Sequence, residues 1–314
     1  MMKKYKDALL SPDISWDLVT QGIKIPLNLY KYQSFVTEKG DENLYWSANM
    51  NGQFHMSLGC EFEDINDCKP FFNKAAILKY FDNLFKSLNM NLEQKDEMLN
   101  EIDDALTEEY FIQVIKNYQN DIRIGCFTDD SNNEEMWNKY ASQKKGYCIE
   151  YNTQKNILFH ISMLPILYSN KPYDSSLTLQ NSIIIECNKR AKGYSDEENL
   201  NRLKKINRRI IKTAYIPIFI KQKNVWQFEH EYRLFLLKSR STRARVLKAE
   251  DFLDSNYNID LSKAISAIYL GENFDQNENY RVLLDKVISI CQAKKINLFR
   301  KAIEKGSEID IRIV

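Results

Sequence analysis

The chain is poor in the residues that break or staple a fold. Of its 314 residues only 9 are glycine and 6 are proline, too few for a collagen-like, linker-rich or mostly disordered chain. Charge of one sign is also missing: 44 Lys+Arg against 43 Asp+Glu leave a formal net charge of +1. That excludes a wholly basic nucleic-acid binder, though not a local basic patch. The 6 cysteines (Cys60, Cys68, Cys126, Cys148, Cys187 and Cys291) form no C-x-x-C pair, and the 3 histidines stand apart from them. No metal site is therefore expected, and scattered thiols suit a reduced, cytoplasmic setting. Met1–Leu10 has the basic start of a secretory signal without an apolar stretch behind it. No apolar run approaches the roughly 20 residues of a membrane span, and no membrane partner is expected.

The familiar loud motifs are absent too. There is no G-x-G-x-x-G, G-x-x-x-x-G-K-[ST], H-E-x-x-H or G-x-S-x-G. A dinucleotide-binding Rossmann fold, a P-loop, a zincin and an α/β-hydrolase are all disfavoured.

What the chain has in plenty is aromatic: 18 Tyr and 16 Phe. Strand patterns are read at Leu27–Phe35, Asn43–Ser47, Asp121–Thr128, Gly146–Tyr151, Trp226–Leu237, Ala264–Gly271, Ile296–Arg300 and Glu308–Val314. Helical spacing predicts Phe71–Leu88, one long helix over about Leu92–Gln119, a short one at Asn133–Ala141 capped from Ser131 or Asn132, a polar one over Leu177–Ala214, and Asn279–Ala293. Strands and helices do not alternate strictly. The prediction is therefore one α+β domain over 1–314 with a mixed, mainly antiparallel sheet, covered by helical insertions at about 71–120 and 175–215.

Three segments offer chemistry. In Val225–Phe235, read as a strand, Trp226, Phe228, His230, Tyr232 and Leu234 share one face and Gln227, Glu229, Glu231 and Arg233 the other. Two carboxylates beside a guanidinium can orient hydroxyls and offset positive charge on a sugar carbon; the alternative is a half-exposed strand whose polar face meets water. In Gly125–Tyr151, Met136, Trp137, Tyr140 and Ala141 have core spacing, with Tyr140 also suited to stacking on a flat ligand. Glu150 reads as solvent-facing, Asp129-Asp130 as a turn, and His160 and His230 as core histidines. Third, basic residues crowd Asn188–Lys212 and Lys238–Lys248, as a solvated helix face or a phosphate-binding surface.

The ordered segments resemble a bacterial family, domain of unknown function 2971. The resemblance is carried by Leu29–Phe35, by Leu44-Tyr45-Trp46-Ser47, by the Met-Trp-x-x-Tyr-Ala and Lys-Gly-hydrophobic-Cys-Ile-Glu pieces within Cys126–Glu150, by Trp226–Arg233 and by Ile268–Gly271, over roughly residues 27–271. Gln33 stands where the family usually has Arg, and Phe54–Leu58 replaces its Phe-Asn-Asp-Pro-Phe loop. The same arrangement resembles the ADP-ribosyltransferase fold. That likeness implies NAD as a substrate, Glu231 as the catalytic carboxylate with Glu229 assisting, and a cofactor site of Tyr30, Lys31, Tyr32, Gln33, Ser47, Tyr140 and Arg233. It also implies a nucleic-acid or protein acceptor and a toxin or antiphage defence role. A non-catalytic module that docks nucleic acid or a partner through the basic stretch at 202–212 is the competing expectation.

Overall fold

The computed structural model describes residues 2–11, 19, 23–37, 42–64, 66–190, 213–237, 251–304 and 307–314. The basic stretch at 202–212 and all of 238–248 lie outside them.

In chain order, helix α1 (Met2–Leu10) precedes strand β1 (Asn28–Gln33), helix α2 (Trp46–Met50) and the short strands β2 (Gln53–His55) and β3 (Ser57–Leu58). Three helices follow, α3 (Lys74–Ser87), α4 (Leu92–Ala105) and α5 (Glu108–Asn120), then β4 (Ile122–Thr128), α6 (Glu134–Tyr140) and β5 (Tyr147–Asn152). Next come α7 (Leu158–Ile161), β6 (Met163–Pro165), β7 (Leu167–Ser169), α8 (Ser176–Arg190), β8 (Ile220–Gln222), α9 (Lys223–Trp226) and β9 (Glu231–Leu237). The chain closes with β10 (Asn258–Asp260), β11 (Ile265–Leu270), α10 (Tyr280–Lys294), β12 (Asn297–Glu304) and β13 (Ser307–Arg312).

The fold is α+β. The main sheet runs β13-β12-β11-β5-β1-β4-β9-β6, with β3 also on β4. Every pairing in it is antiparallel except β11 with β12. One apolar layer gathers Leu29, Phe127, Ile149, Ile268 and Leu298 with Val287 and Cys291 of α10. A second joins Tyr5 and Leu9 of α1 to Ile122, Ile124, Phe219 and Phe235. Helices α3, α4, α5 and α8 share a separate cluster around Ile77, Phe81, Phe85, Leu106 and Leu179.

Six local readings are corrected. Asn43–Ser47 is a turn and the start of α2: the Asn43 side chain accepts from the Tyr45 amide, and Leu44 and Tyr45 are exposed while Trp46 is buried. The single helix at Leu92–Gln119 is two. Leu106 turns inward and Thr107 caps a new start by accepting from the Tyr110 amide at 3.1 Å, which satisfies one of the donors a helix start leaves open. Helix α6 is capped by Asn133, not Ser131 or Asn132, through the Met136 amide at 3.0 Å. Glu150 does not face water freely, since Ser266 Oγ and Tyr269 OH donate to it at 2.5 and 2.9 Å. His160 and His230 are exposed, not core.

The sixth touches the site. Trp226–Leu237 is not one strand: α9 ends at Trp226, a 3₁₀ turn covers Gln227–Glu229, and only Glu231 onward is β9. Between turn and strand His230 takes a left-handed backbone, φ 45°, a conformation in which non-glycine residues are uncommon. The predicted two-face alternation therefore holds only from Glu231 onward.

Candidate functional site

Strand β1 is continuous with β5 on one side, with pairs from Asn28↔Asn152 to Gln33↔Tyr147. On the other side it meets β4 only at Tyr30↔Thr128. Beyond that pair the strands part, and Tyr30, Lys31 and Tyr32 on one side face Cys126 and Phe127 on the other across a cleft of about 160 Å³. Phe62, Met136 and Tyr140 close it, and Lys221, Glu229 and Glu231 form its polar wall.

That wall is dense in buried charge. Glu229 and Glu231 are both 4% exposed and Arg233 is 0% exposed, so the half-exposed reading of this face is overturned. Arg233 donates from Nε to Glu231 Oε1 at 2.7 Å and from Nη2 to Oε2 at 3.2 Å. Its Nη1 also donates to Asp67 Oδ1 at 2.8 Å and to the Ile218 carbonyl at 2.6 Å. The Lys221 ammonium lies 2.5 Å from Glu229 Oε2, 3.2 Å from Glu231 Oε2 and 3.7 Å from Asp67 Oδ2. The Glu231 amide donates to Tyr168 OH at 2.9 Å. Tyr140 OH donates to Glu229 Oε1. Charges so deeply buried persist only when paired and hydrogen-bonded, and each of these is.

The two carboxylates differ in consequence. Burial would raise the Glu231 carboxyl, but Arg233 and Lys221 beside it hold it well below the usual carboxylate range. Burial and the neighbouring Glu231 charge raise Glu229, against the pull of Lys221 and Tyr140. With all groups ionised, Asp67, Glu229 and Glu231 carry three negative charges and Lys221 and Arg233 two positive ones, so the cluster holds one surplus negative charge. Glu229 is where a proton relieves it most easily. An ionised carboxylate accepts about four hydrogen bonds. Glu231 spends its capacity on Arg233, Lys221 and the Cys126 thiol. Glu229 accepts from Tyr140 and Lys221 and keeps capacity toward the cleft. The Cys126 thiol is itself pushed up by burial and by Glu231.

Of the residues named from sequence, Tyr30, Lys31, Tyr32, Tyr140, Glu229 and Glu231 line this cleft. Arg233 sits behind the wall and reaches it only through Glu231. Gln33 is outside, its Oε1 accepting from Tyr147 OH at 2.7 Å and from Asn49. Ser47 is also outside, on α2. Sequence reasoning missed Asp67 and Lys221. A lysine closing the apolar run Ile216–Ile220 was the available signal, because a lysine in such a run needs an acidic partner. Nothing local marks Asp67, which lies 166 positions from Arg233.

Among the described residues no helix is long and apolar enough to cross a membrane. No curated protein matches the chain. No solved structure matches it either. A family model described as a protein of unknown function (DUF2971) matches residues 136–234, a narrower span than the resemblance over 27–271. It takes in Tyr140, Lys221, Glu229, Glu231 and Arg233 and leaves β1 outside. This segment, which supplies most of the charged wall, is similar to the DUF2971 family of proteins of unknown function.

Proposed function

We propose that the chain is an ADP-ribosyltransferase-like enzyme that cleaves NAD and transfers the ADP-ribosyl group to a nucleic-acid or protein acceptor, as a toxin or antiphage defence effector. The observation that carries this reading is the buried Glu229–Glu231 pair on the wall of an aromatic cleft, where β1 and β4 part. About 160 Å³ is below the roughly 300 Å³ of the smaller drug-sized sites. The nicotinamide end of NAD occupies the cleft and the rest of the dinucleotide lies outside it.

The chemistry follows from the wall. The nicotinamide ring packs against Tyr140 and Tyr30, whose flat faces and polar tips suit a pocket wall. Glu229, with unspent acceptor capacity, takes a ribose hydroxyl. The nicotinamide–ribose bond breaks heterolytically, its electron pair leaving with neutral nicotinamide and positive charge growing on C1′. The surplus negative charge of the wall is fixed in place before the reaction, which favours the charged transition state over the substrate. An acceptor oxygen or nitrogen then bonds to C1′ and passes its proton to Glu229, whose raised proton affinity suits that role. Glu231, held ionised by Arg233 and Lys221, keeps the field in place.

The test is incubation of labelled NAD with mixed DNA, RNA and protein acceptors, using wild type, Glu229→Gln and Glu231→Gln. Each substitution is expected to lower turnover by about 10²-fold or more, with circular dichroism showing the fold retained. Wild-type turnover in both variants, or no nicotinamide released by the wild type, overturns the reading.

A further inference from the structure

A larger cavity shares Lys221 with the cleft. It encloses about 330 Å³ between the connector around Asp64–Phe71, the segment Ser169–Tyr173 that follows β7, and the stretch from Pro217 to Gln222. That volume falls within the range of small-molecule sites.

Three prolines and two aromatic rings line it. Pro70, Pro172 and Pro217 each fix one backbone angle, which limits how far the wall can rearrange. Phe71 and Tyr173 supply the rings. Phe71 is 45% exposed, a large apolar side chain left uncovered on a cavity wall. The two segments that carry these rings are tied together: Phe71 bridges Asp174, and the Ser175 amide donates to the Phe71 carbonyl at 2.8 Å.

The rim is positive. Lys69 and Lys171 line the cavity and are exposed. Among the described residues neither ammonium has a carboxylate partner within 4 Å. The acid of the lining, Asp64, is turned to its own loop, where its Oδ1 accepts from the Asn66 amide at 2.9 Å. Aromatic and apolar side chains beside two unneutralised ammonium groups suit a ring that carries a doubly charged anion. They contrast with the carboxylate cleft, whose surplus negative charge repels such a group.

We propose that this cavity is a second ligand site, selective for a planar ring bearing a phosphate group, of the size of a nucleoside monophosphate. The site does not depend on NAD chemistry in the neighbouring cleft, and its failure or success is read separately from turnover. A bound ligand abuts Lys221, the residue that contacts both carboxylates across the wall.

The experiment is calorimetric titration of the full chain with phenyl phosphate, adenosine monophosphate, inorganic phosphate and phenol. Phenyl phosphate and the nucleotide are expected to bind saturably, with phosphate alone and phenol alone each weaker by about tenfold or more. The double variant Lys69→Glu/Lys171→Glu is expected to weaken phenyl phosphate by at least about tenfold, and Phe71→Ala by a similar factor. All three side chains are exposed, so the variants keep the fold, which circular dichroism checks. Three outcomes overturn the proposal: no saturable binding of phenyl phosphate at millimolar concentration, undiminished binding in the double variant, or inorganic phosphate binding as well as phenyl phosphate with Phe71→Ala inert. The last would mean a bare lysine patch without a ring pocket.

Discussion

The two flanks of β1 are built to opposite ends. Toward β5 the ladder runs through six consecutive pairs, and Gly146 opens that side to close packing: a Cβ there would collide with the Gln33 carbonyl oxygen. Toward β4 one pair holds the sheet together, while β4 spends its own ladder on β9 over seven pairs from Ile122↔Leu237 to Thr128↔Glu231. The sheet is thus two units, antiparallel except between β11 and β12, touching at Tyr30 and Thr128. The closed flank is a stability device, packed with apolar and aromatic side chains. The open flank exposes a wall of buried charge to a cleft. Such a wall weakens a core unless every charge is held, and here the holding is done by Arg233 and Lys221.

The comparison breaks most visibly at Arg233. Arg233→Met keeps the volume and removes the guanidinium that Asp67 and Glu231 share, leaving Lys221 to answer three buried carboxylates. A loss of about 3–5 kcal/mol in unfolding free energy is expected, read as the shift of the urea midpoint at constant slope. A loss below about 1 kcal/mol means that the pairs are solvated and the wall is not the closed structure described.

A smaller effect separates the two carboxylates by pH. Glu231 has a folded value below its ordinary 4.5, so its contribution is fully present above 4.5 and fades as pH falls toward the folded value. Glu229 has a folded value above 4.5, so its contribution is present below 4.5 and is lost as pH climbs through the folded value. Urea midpoints of wild type and Glu229→Gln, measured from pH 4 upward, are therefore expected to diverge, the variant gaining on the wild type as pH rises toward 7. Parallel profiles would mean that Glu229 titrates like a surface carboxylate and that the surplus charge of the wall is not confined there.

Much of this is legible in the sequence. The strands at β1, β4, β5 and β11 announce themselves by aromatic and β-branched runs, and α6 by its cap and first-turn acids. Glu229 and Glu231 could be named because two carboxylates flanking one position in an aromatic segment are conspicuous. Their geometry could not be read. A regular strand pattern hides the left-handed turn at His230, which sets both acids against Lys221 by a route that alternation does not describe. Nor could Asp67 be found, because its meaning comes from Arg233, far along the chain. Local pattern reads single elements well, and it is silent on which buried charge answers which.

Ser47 gives the smallest and sharpest test of where the open flank ends. Its resemblance to a strand-ending serine suggested a place beside the cofactor. In the structure it follows Trp46 in α2, its carbonyl accepts from the Asn51 amide and side chain, and it does not line the cleft. Ser47→Ala removes one partly exposed hydroxyl from a short helix. A stability change within about 0.5 kcal/mol is expected, with labelled-NAD turnover unchanged. If turnover instead falls tenfold while the urea midpoint holds, the cleft extends past Lys31 to α2 when substrate binds. The parting of β1 from β4 would then be only the inner end of a longer groove.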